Sequence, residues 1–301
     1  MRRNPWAPIL LASLGWGTGG VATRVVLIDG IDPLTLVAVR FLLATTVLMA
    51  VGALLARRPP PSREAWRRGA VLGVLNMAGP TLFLTPALQH VSAGLGGLLV
   101  ALVPLATLVS AHFLLDDERF ERTKLAGLMV SLAGVGVLLW SGDTGLGDGG
   151  NLLWGVGLSL VGVALAGLGG ALSRKYVSTM SAYELVLPQF VGGTLLAWVV
   201  ALPVLRLPEV AGVDTWAAIV YLALASTIIP FASFLWAVQL TTATKASLVG
   251  YLVPLVGVVG GVLVLSEQVT GWMLVGGWLI LAGVVMVDRV DRRRPVVPAP
   301  V

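Results

Sequence analysis

Cysteine is absent from the 301 residues, which excludes a disulfide framework, thiol chemistry and Cys-based metal sites. Charge is scarce as well. Asp, Glu, Lys and Arg make up 12% of the chain against 57% hydrophobic residues, and the mean hydropathy is +0.92. A soluble fold cannot hide that much apolar surface, so the chain reads as a polytopic membrane protein. Catalytic patterns are also missing: no HExxH, no P-loop, no GxGxxG in a strand-to-helix setting, and no Ser-His or paired-carboxylate arrangement within a span. An intramembrane enzyme, a metal site and ATP-driven export by this chain alone are therefore disfavoured, and no cofactor is expected. No Asp or Glu lies deep in any apolar run, so the usual proton-relay carboxylate is lacking. That favours facilitated diffusion or exchange, or coupling through a less obvious group.

What is present is a series of apolar runs bounded by charges, Pro or Gly. Ten spans are predicted, at roughly 7 to 27, 34 to 56, 69 to 89, 93 to 115, 124 to 141, 152 to 173, 183 to 204, 215 to 238, 246 to 265 and 271 to 287. At about 1.5 Å per residue most can cross about 30 Å of hydrocarbon as helices, the form that satisfies its own backbone in lipid. The net charge of +5 is a topology signal rather than a nucleic-acid footprint. With the amino terminus cytoplasmic, Arg2, Arg3, Arg57, Arg58, Arg63, Arg67, Arg68, Arg119, Arg122, Lys124, Arg174, Lys175, Lys245, Arg289 and the arginines at 292 to 294 fall on the inner face, and Arg206 falls outside. By the positive-inside rule both termini are cytoplasmic. The basic start followed by an apolar run also resembles a signal peptide, but it continues into a segment that recurs later and reads as a retained first helix.

The recurrence organises the chain. Ala87 to Pro104 (ALQHVSAGLGGLLVALVP) returns as Ala237 to Pro254 (AVQLTTATKASLVGYLVP), an offset of 150. Pro80 falls on Pro230, Asn76 on Ser226, and the segment at 19 to 24 on that at 169 to 174. Beyond Leu115 and Leu265 the offset becomes 149, so Glu118 falls on Glu267, Gly127 on Gly276 and Gly134 on Gly283. Five spans per copy is an odd number, so the second copy crosses the membrane in the opposite sense. The expected fold is an all-α membrane protein with ten transmembrane helices, arranged as two inverted-topology five-helix repeats. The first repeat is placed at 1–143, a Gly-rich linker at 144–151, the second repeat at 152–288 and a basic, Pro-containing cytoplasmic tail at 289–301. Two halves of opposite sense can exchange conformations, which gives alternating access around a central site. The cavity is expected between helices one to four and six to nine, with helices five and ten at the periphery.

These residues resemble the drug/metabolite transporter superfamily, specifically its EamA-like ten-helix members. The resemblance rests on Trp16-Gly17, the Asp32-Pro33 step followed by Arg40, Ala-Leu-Gln at 87 to 89 with Pro104 and the Glu118 turn, and Ala-Val-Gln at 237 to 239 with Pro254 and Leu-Ser-Glu at 265 to 267. It implies a multi-pass carrier of the bacterial inner membrane, often an exporter of amino acids or related small metabolites. Two departures stand out. The counterpart of Arg40 is Gln189, and Asp-Asp-Glu in one half faces Ser-Glu in the other.

Arg40, about 9 Å into helix two on the helical rise, is either a snorkelling cation near Asp29 or Asp32 or a cavity cation that meets a solute carboxylate. Arg24 and Arg174 end their helices and read as interfacial anchors. Glu118 and Glu267 begin turns, as caps of the next helix or as gating carboxylates. His112 reads as a helix-end polar group or a proton carrier. Uncharged candidates for the solute site are Trp16, Asn76, Gln89, Gln189, Trp236, Gln239 and Tyr251, though amides also serve as interhelical glue. Pro80, Pro104, Pro230 and Pro254 recur pairwise inside spans and read as hinges. Small residues in helix six (Gly162, Ala166, Gly170) and helix nine (Gly257, Gly261) predict close helix contacts. The partners implied are a small-molecule solute and the lipid bilayer, with no nucleic acid and a homodimer left open. A channel-like facilitator is the alternative, with an intramembrane enzyme or a receptor behind it.

Overall fold

The computed structural model describes residues 6–55, 60–115, 121–147, 149–177, 179–180, 182–205, 212–240 and 248–291. Ten helical spans run through it: α1 (Trp6–Ile28), α2 (Pro33–Leu55), α3 (Arg63–Leu72, Gly73–Ala78, Gly79–Ala87), α4 (Ala93–Val100, Val103–Leu114) and α5 (Arg122–Ser141). The second set is α6 (Leu152–Val177), α7 (Ala182–Ala201), α8 (Val213–Ala223, Leu224–Ile228, Ile229–Leu240), α9 (Leu248–Leu265) and α10 (Gly271–Asp291). Among the described residues, nine spans are long and apolar enough to cross a membrane, and Val249–Leu265 is a shorter apolar helix.

Local chemistry sets the ends. Asp32 Oδ1 accepts from Leu34 and Thr35 N at the start of α2, at 3.0 and 2.9 Å. Ser62 caps α3 through Ala65 N, Ser92 caps α4 through Leu95 N, and Asn151 caps α6 through Trp154 N. Gly142 closes α5 with φ 69°, a left-handed turn that only glycine adopts freely. Basic side chains of α3, α5, α6 and α10 gather at one end of the bundle, the basic end. Asp29, Asp32, Asp143, Asp214 and Glu267 mark the other, the far end.

Packing follows the internal repeat. α2 crosses α7 where Thr45 and Thr194, 149 residues apart, share a 2.7 Å hydrogen bond between hydroxyls. Each also reaches a backbone carbonyl across the crossing: Thr45 donates to Phe190 O and Thr194 to Phe41 O. The pseudo-two-fold axis passes there. It also passes between α5 and α10, where Ser131 Oγ donates to Ile280 O, again 149 residues away, at 3.0 Å. Gly127 and Gly134 bring α5 against the backbone of α10 at Gly283 and Gly276. The α5/α10 pair touches the remaining helices only lightly. Elsewhere contacts come in mates: Gly17 of α1 on Val253 and Val256 of α9, matched by Gly167 of α6 on Ala106 and Thr107 of α4.

The sequence predicts kinks at the four prolines, and the structure resolves them differently. Residues 73–78 and 224–228 are π-helical, one segment in each half, and each ends just before the proline pair Pro80 and Pro230. Proline has no N–H to donate and its ring clashes with the carbonyl four residues back. Widening the turn relieves that clash, with Gly79 N bonding Val74 O and Ile229 N bonding Leu224 O, each five residues back. Pro104 lies at the start of the second segment of α4, after a break at 101–102, whereas Pro254 sits inside continuous α9.

Candidate functional site

Among the described residues, one arginine lies well inside a span. Arg40 lies on α2 and reaches across to the π-turn of α8, where Nε donates to Thr227 Oγ1 at 2.8 Å and Nη2 to Ser226 O at 3.0 Å. The local reason is Pro230. It withholds the N–H that a regular helix would direct at the carbonyl of residue 226, and Arg40 takes that acceptor. Thr227 is fixed in turn by donating to Leu222 O at 2.8 Å. Arg40 therefore does not pair with Asp29 or Asp32. Asp29 Oδ2 accepts from Thr215 at 2.7 Å, and Asp32 caps α2. No carboxylate lies within ion-pair range of Arg40 among the described residues.

The repeat mate of this arrangement is neutral. Gln189 of α7 is buried against the π-turn of α3, its carbonyl close to Gly73, and its Nε2 has no hydrogen-bond partner. Asn76, the mate of Ser226, packs on Gly169 of α6 as Ser226 packs on Gly19 of α1. Trp16 is half-buried on α1 with its ring 5.6 Å from that of Phe234. Tyr251 is half-buried against the cluster that α4 shares with α5, α6 and α10.

Two candidates do not join these. Trp236 of α8 is 43% exposed, and Gln89 is exposed in the turn after α3, which ends at Ala87. The backbone of Gln239 belongs to α8, but its side chain lies outside the described residues, as does Glu118. His112 sits near the basic end with its ring edge against Phe113.

At the far end Glu267 is placed otherwise than a cap of the next helix. That role belongs to Thr270, whose Oγ1 accepts from Met273 N. Ser266, with φ 54°, turns the chain back so that Glu267 N bonds Gly261 O. Its side chain, 7% exposed, then accepts from Ala93 N at 2.7 Å and Gly94 N at 3.1 Å, the first turn of α4. A carboxylate suits that position because it meets free N–H groups and the positive end of the helix dipole. Arg24 Nε stands 3.4 Å from Glu267 Oε1, and its Nη1 donates to Leu88 O at the end of α3. One cluster thus ties α1, α3, α4 and α9 together.

Among the described residues no group of three His, Cys, Asp or Glu is arranged to hold a metal. The site combines a charge within a span, a π-turn before a proline in each half and a buried ion pair at one end. The sequence profile of the EamA-like transporter family matches residues 7–140 and 153–288, one match per half. The chain belongs to the EamA-like transporter family. It is a multi-pass membrane transporter. Relatives include the "Probable terminal-alkyne amino-acid exporter" of Streptantibioticus cattleyicolor, 28% identical over 96% of this chain and 95% of that one. The "Uncharacterized inner membrane transporter YedA" of Escherichia coli K12 is 25% identical over 90% and 86%. A chloroplastic WAT1-related protein of Arabidopsis thaliana is 27% identical over 94% of this chain and 69% of its own length. In fold, the EamA-family chain is also similar to a solved crystal structure at 23% identity, with a TM-score of 0.64 and coverage of 97% and 99%.

Proposed function

We propose that the chain carries a small organic metabolite, an amino acid or a related compound, outward across a bacterial inner membrane by alternating access. The observation that carries this reading is the set of mated contacts about one axis, Thr45 with Thr194 and Ser131 with Ile280. Inverted halves that pack in mated ways can exchange their conformations, opening the site to each side in turn. The basic end is cytoplasmic by the positive-inside rule, which puts both termini inside and the far end outside. The solute site lies between the two π-turns, lined by Arg40, Gln189, Asn76 and Trp16, with Pro80 and Pro230 as hinges. Glu267, held by Arg24 and the first turn of α4, supports a far end that is shut in this conformation. The Streptantibioticus relative named a "Probable terminal-alkyne amino-acid exporter" supports that solute class.

The test is uptake into liposomes containing the full chain, using labelled amino acids, nucleosides, sugars, amines and organic acids, with and without a pH gradient. Saturable uptake of one class that shows counterflow is expected. Non-saturating flux without counterflow would point to a channel and overturn alternating access.

A further inference from the structure

We propose that the solute carries a carboxylate which docks on Arg40 by displacing the Ser226 carbonyl, and that this displacement releases the π-turn of α8. The inference rests on the transporter reading above and names its substrate chemistry and its coupling step. Arginine stays charged in any environment a protein offers. Here it sits in a span with only neutral oxygens as partners, Thr227 Oγ1 and Ser226 O, and a weak approach to Ser226 Oγ at 3.5 Å. The two acids between α1 and α2 are engaged elsewhere, Asp29 by Thr215 and Asp32 by the first turn of α2. A carboxylate makes charge-assisted bonds about twice as strong as neutral ones, and it matches the guanidinium fork.

The geometry also says what must give way. Arg40 Nη1 makes no hydrogen bond among the described residues and is not among their sealed, unpartnered atoms. Nη2 carries two N–H groups, so a carboxylate held end-on at Nη1 and Nη2 would leave both resting partners in place. The coupled mode is side-on entry at Nε and Nη2, which displaces Thr227 Oγ1 and Ser226 O together. Ser226 O then loses its donor, because Pro230 supplies no N–H to replace it. The π-turn must reshape to satisfy that carbonyl. Gly19 of α1 packs directly on Ser226 Oγ, so the change passes to α1, which carries Arg24 of the far-end cluster. At the π-turn of α3 the mate of Arg40 is the uncharged Gln189 of α7, so an anion is felt in α8 and not in its mate. The resting partners are thus competitors of the solute.

The experiment uses the purified full chain and reads the ligand-induced rise in Tm, with uptake measured in parallel in liposomes. The probes are L-amino acids and simple 2-hydroxy and 2-keto acids, each beside its carboxamide. At least one carboxylate should stabilise the protein while its carboxamide does not, and Arg40→Gln should abolish the effect. Thr227→Val and Pro230→Ala remove or occupy a resting partner of Arg40. Each should bind that carboxylate about tenfold more tightly, the scale of one charged hydrogen bond, yet transport it more slowly. Merely structural residues would lose affinity together with transport. Carboxamides binding as well as carboxylates, binding that survives Arg40→Gln, or weaker binding in Thr227→Val would each overturn the proposal. Should uptake select an amine, sugar or nucleoside instead, the transporter reading stands and the carboxylate falls. Absence of both uptake and binding across all probes would count against both.

Discussion

Removing the Glu267 carboxylate should open the far end. In Glu267→Ala the N–H groups of Ala93 and Gly94, held at 2.7 and 3.1 Å, lose their acceptor, and Arg24 keeps only Leu88 O. An orphaned buried donor costs about 1–3 kcal/mol, and breaking a buried ion pair costs about 3–5 kcal/mol. Arg24 is 16% exposed, so water compensates part of its loss and the terms are not additive. A net cost of about 3 kcal/mol corresponds to roughly a hundredfold rise in the open population. The chain has no cysteine, so a single reporter is clean. Gly20→Cys suits the purpose, since a Cβ there meets Ala93 at an ordinary 3.9 Å one turn below the cluster. Its rate of alkylation by a membrane-impermeant maleimide, measured in intact vesicles, follows the open population when opening is fast. Glu267→Ala should raise that rate about a hundredfold. Glu267→Gln should raise it about tenfold, because one amide oxygen can still accept while its –NH2 meets a second donor. Arg24→Leu should add little in the Glu267→Ala background. A change below threefold in Glu267→Ala, or fully additive single effects, would refute the latch.

Other expectations follow from burial and packing. Trp236→Leu and Gln89→Ala should leave uptake within about twofold of the parent, since both side chains are exposed; a large loss would put them in the wall. Gly134→Ala should destabilise the α5/α10 pair by about 1–3 kcal/mol, because its Cβ would lie 2.7 Å from Gly276 O and 2.9 Å from Ile280 N, read as faster unfolding in detergent. Ser131→Ala removes one interhelical bond of 3.0 Å and should cost about 0.6 kcal/mol on the same assay.

The ten spans and their pairing into halves were legible because hydrocarbon thickness sets their length and the offsets of 149 and 150 survive in the residues. The close contacts expected of the small residues are also present: Gly162 meets Pro80 and Leu84 of α3, Gly170 meets Thr107 of α4, and Gly257 and Gly261 approach Ala93, Gly94 and Gly97 of α4. Which face a residue takes was not legible. In lipid a helix is apolar all round, so mid-span position alone did not say how exposed Trp236 would be. Gln89 was expected in the last turn of α3, but the chain leaves the helix at Ala87 so that Ser92 can cap α4. The bond from Glu267 to α4 joins the two repeats through a reversal at Ser266 that no local pattern announces. The π-turns were not legible, because a proline alone does not say whether a helix kinks or widens, although Pro80, Pro230 and the Asn76/Ser226 pairing marked where they would fall.

The central claim is that the two ends open in alternation, and repeat-related cysteines test it directly. Gly20→Cys reports on the far end and Gly170→Cys, at the same place in the other half, on the basic end. Each is labelled with an impermeant maleimide from its own side, without solute and with the compound that the uptake assay identifies. Alternating access predicts that the compound changes the two rates in opposite directions, with a gain at one end matched by a loss at the other. Rates that rise together would contradict it and describe an open pore.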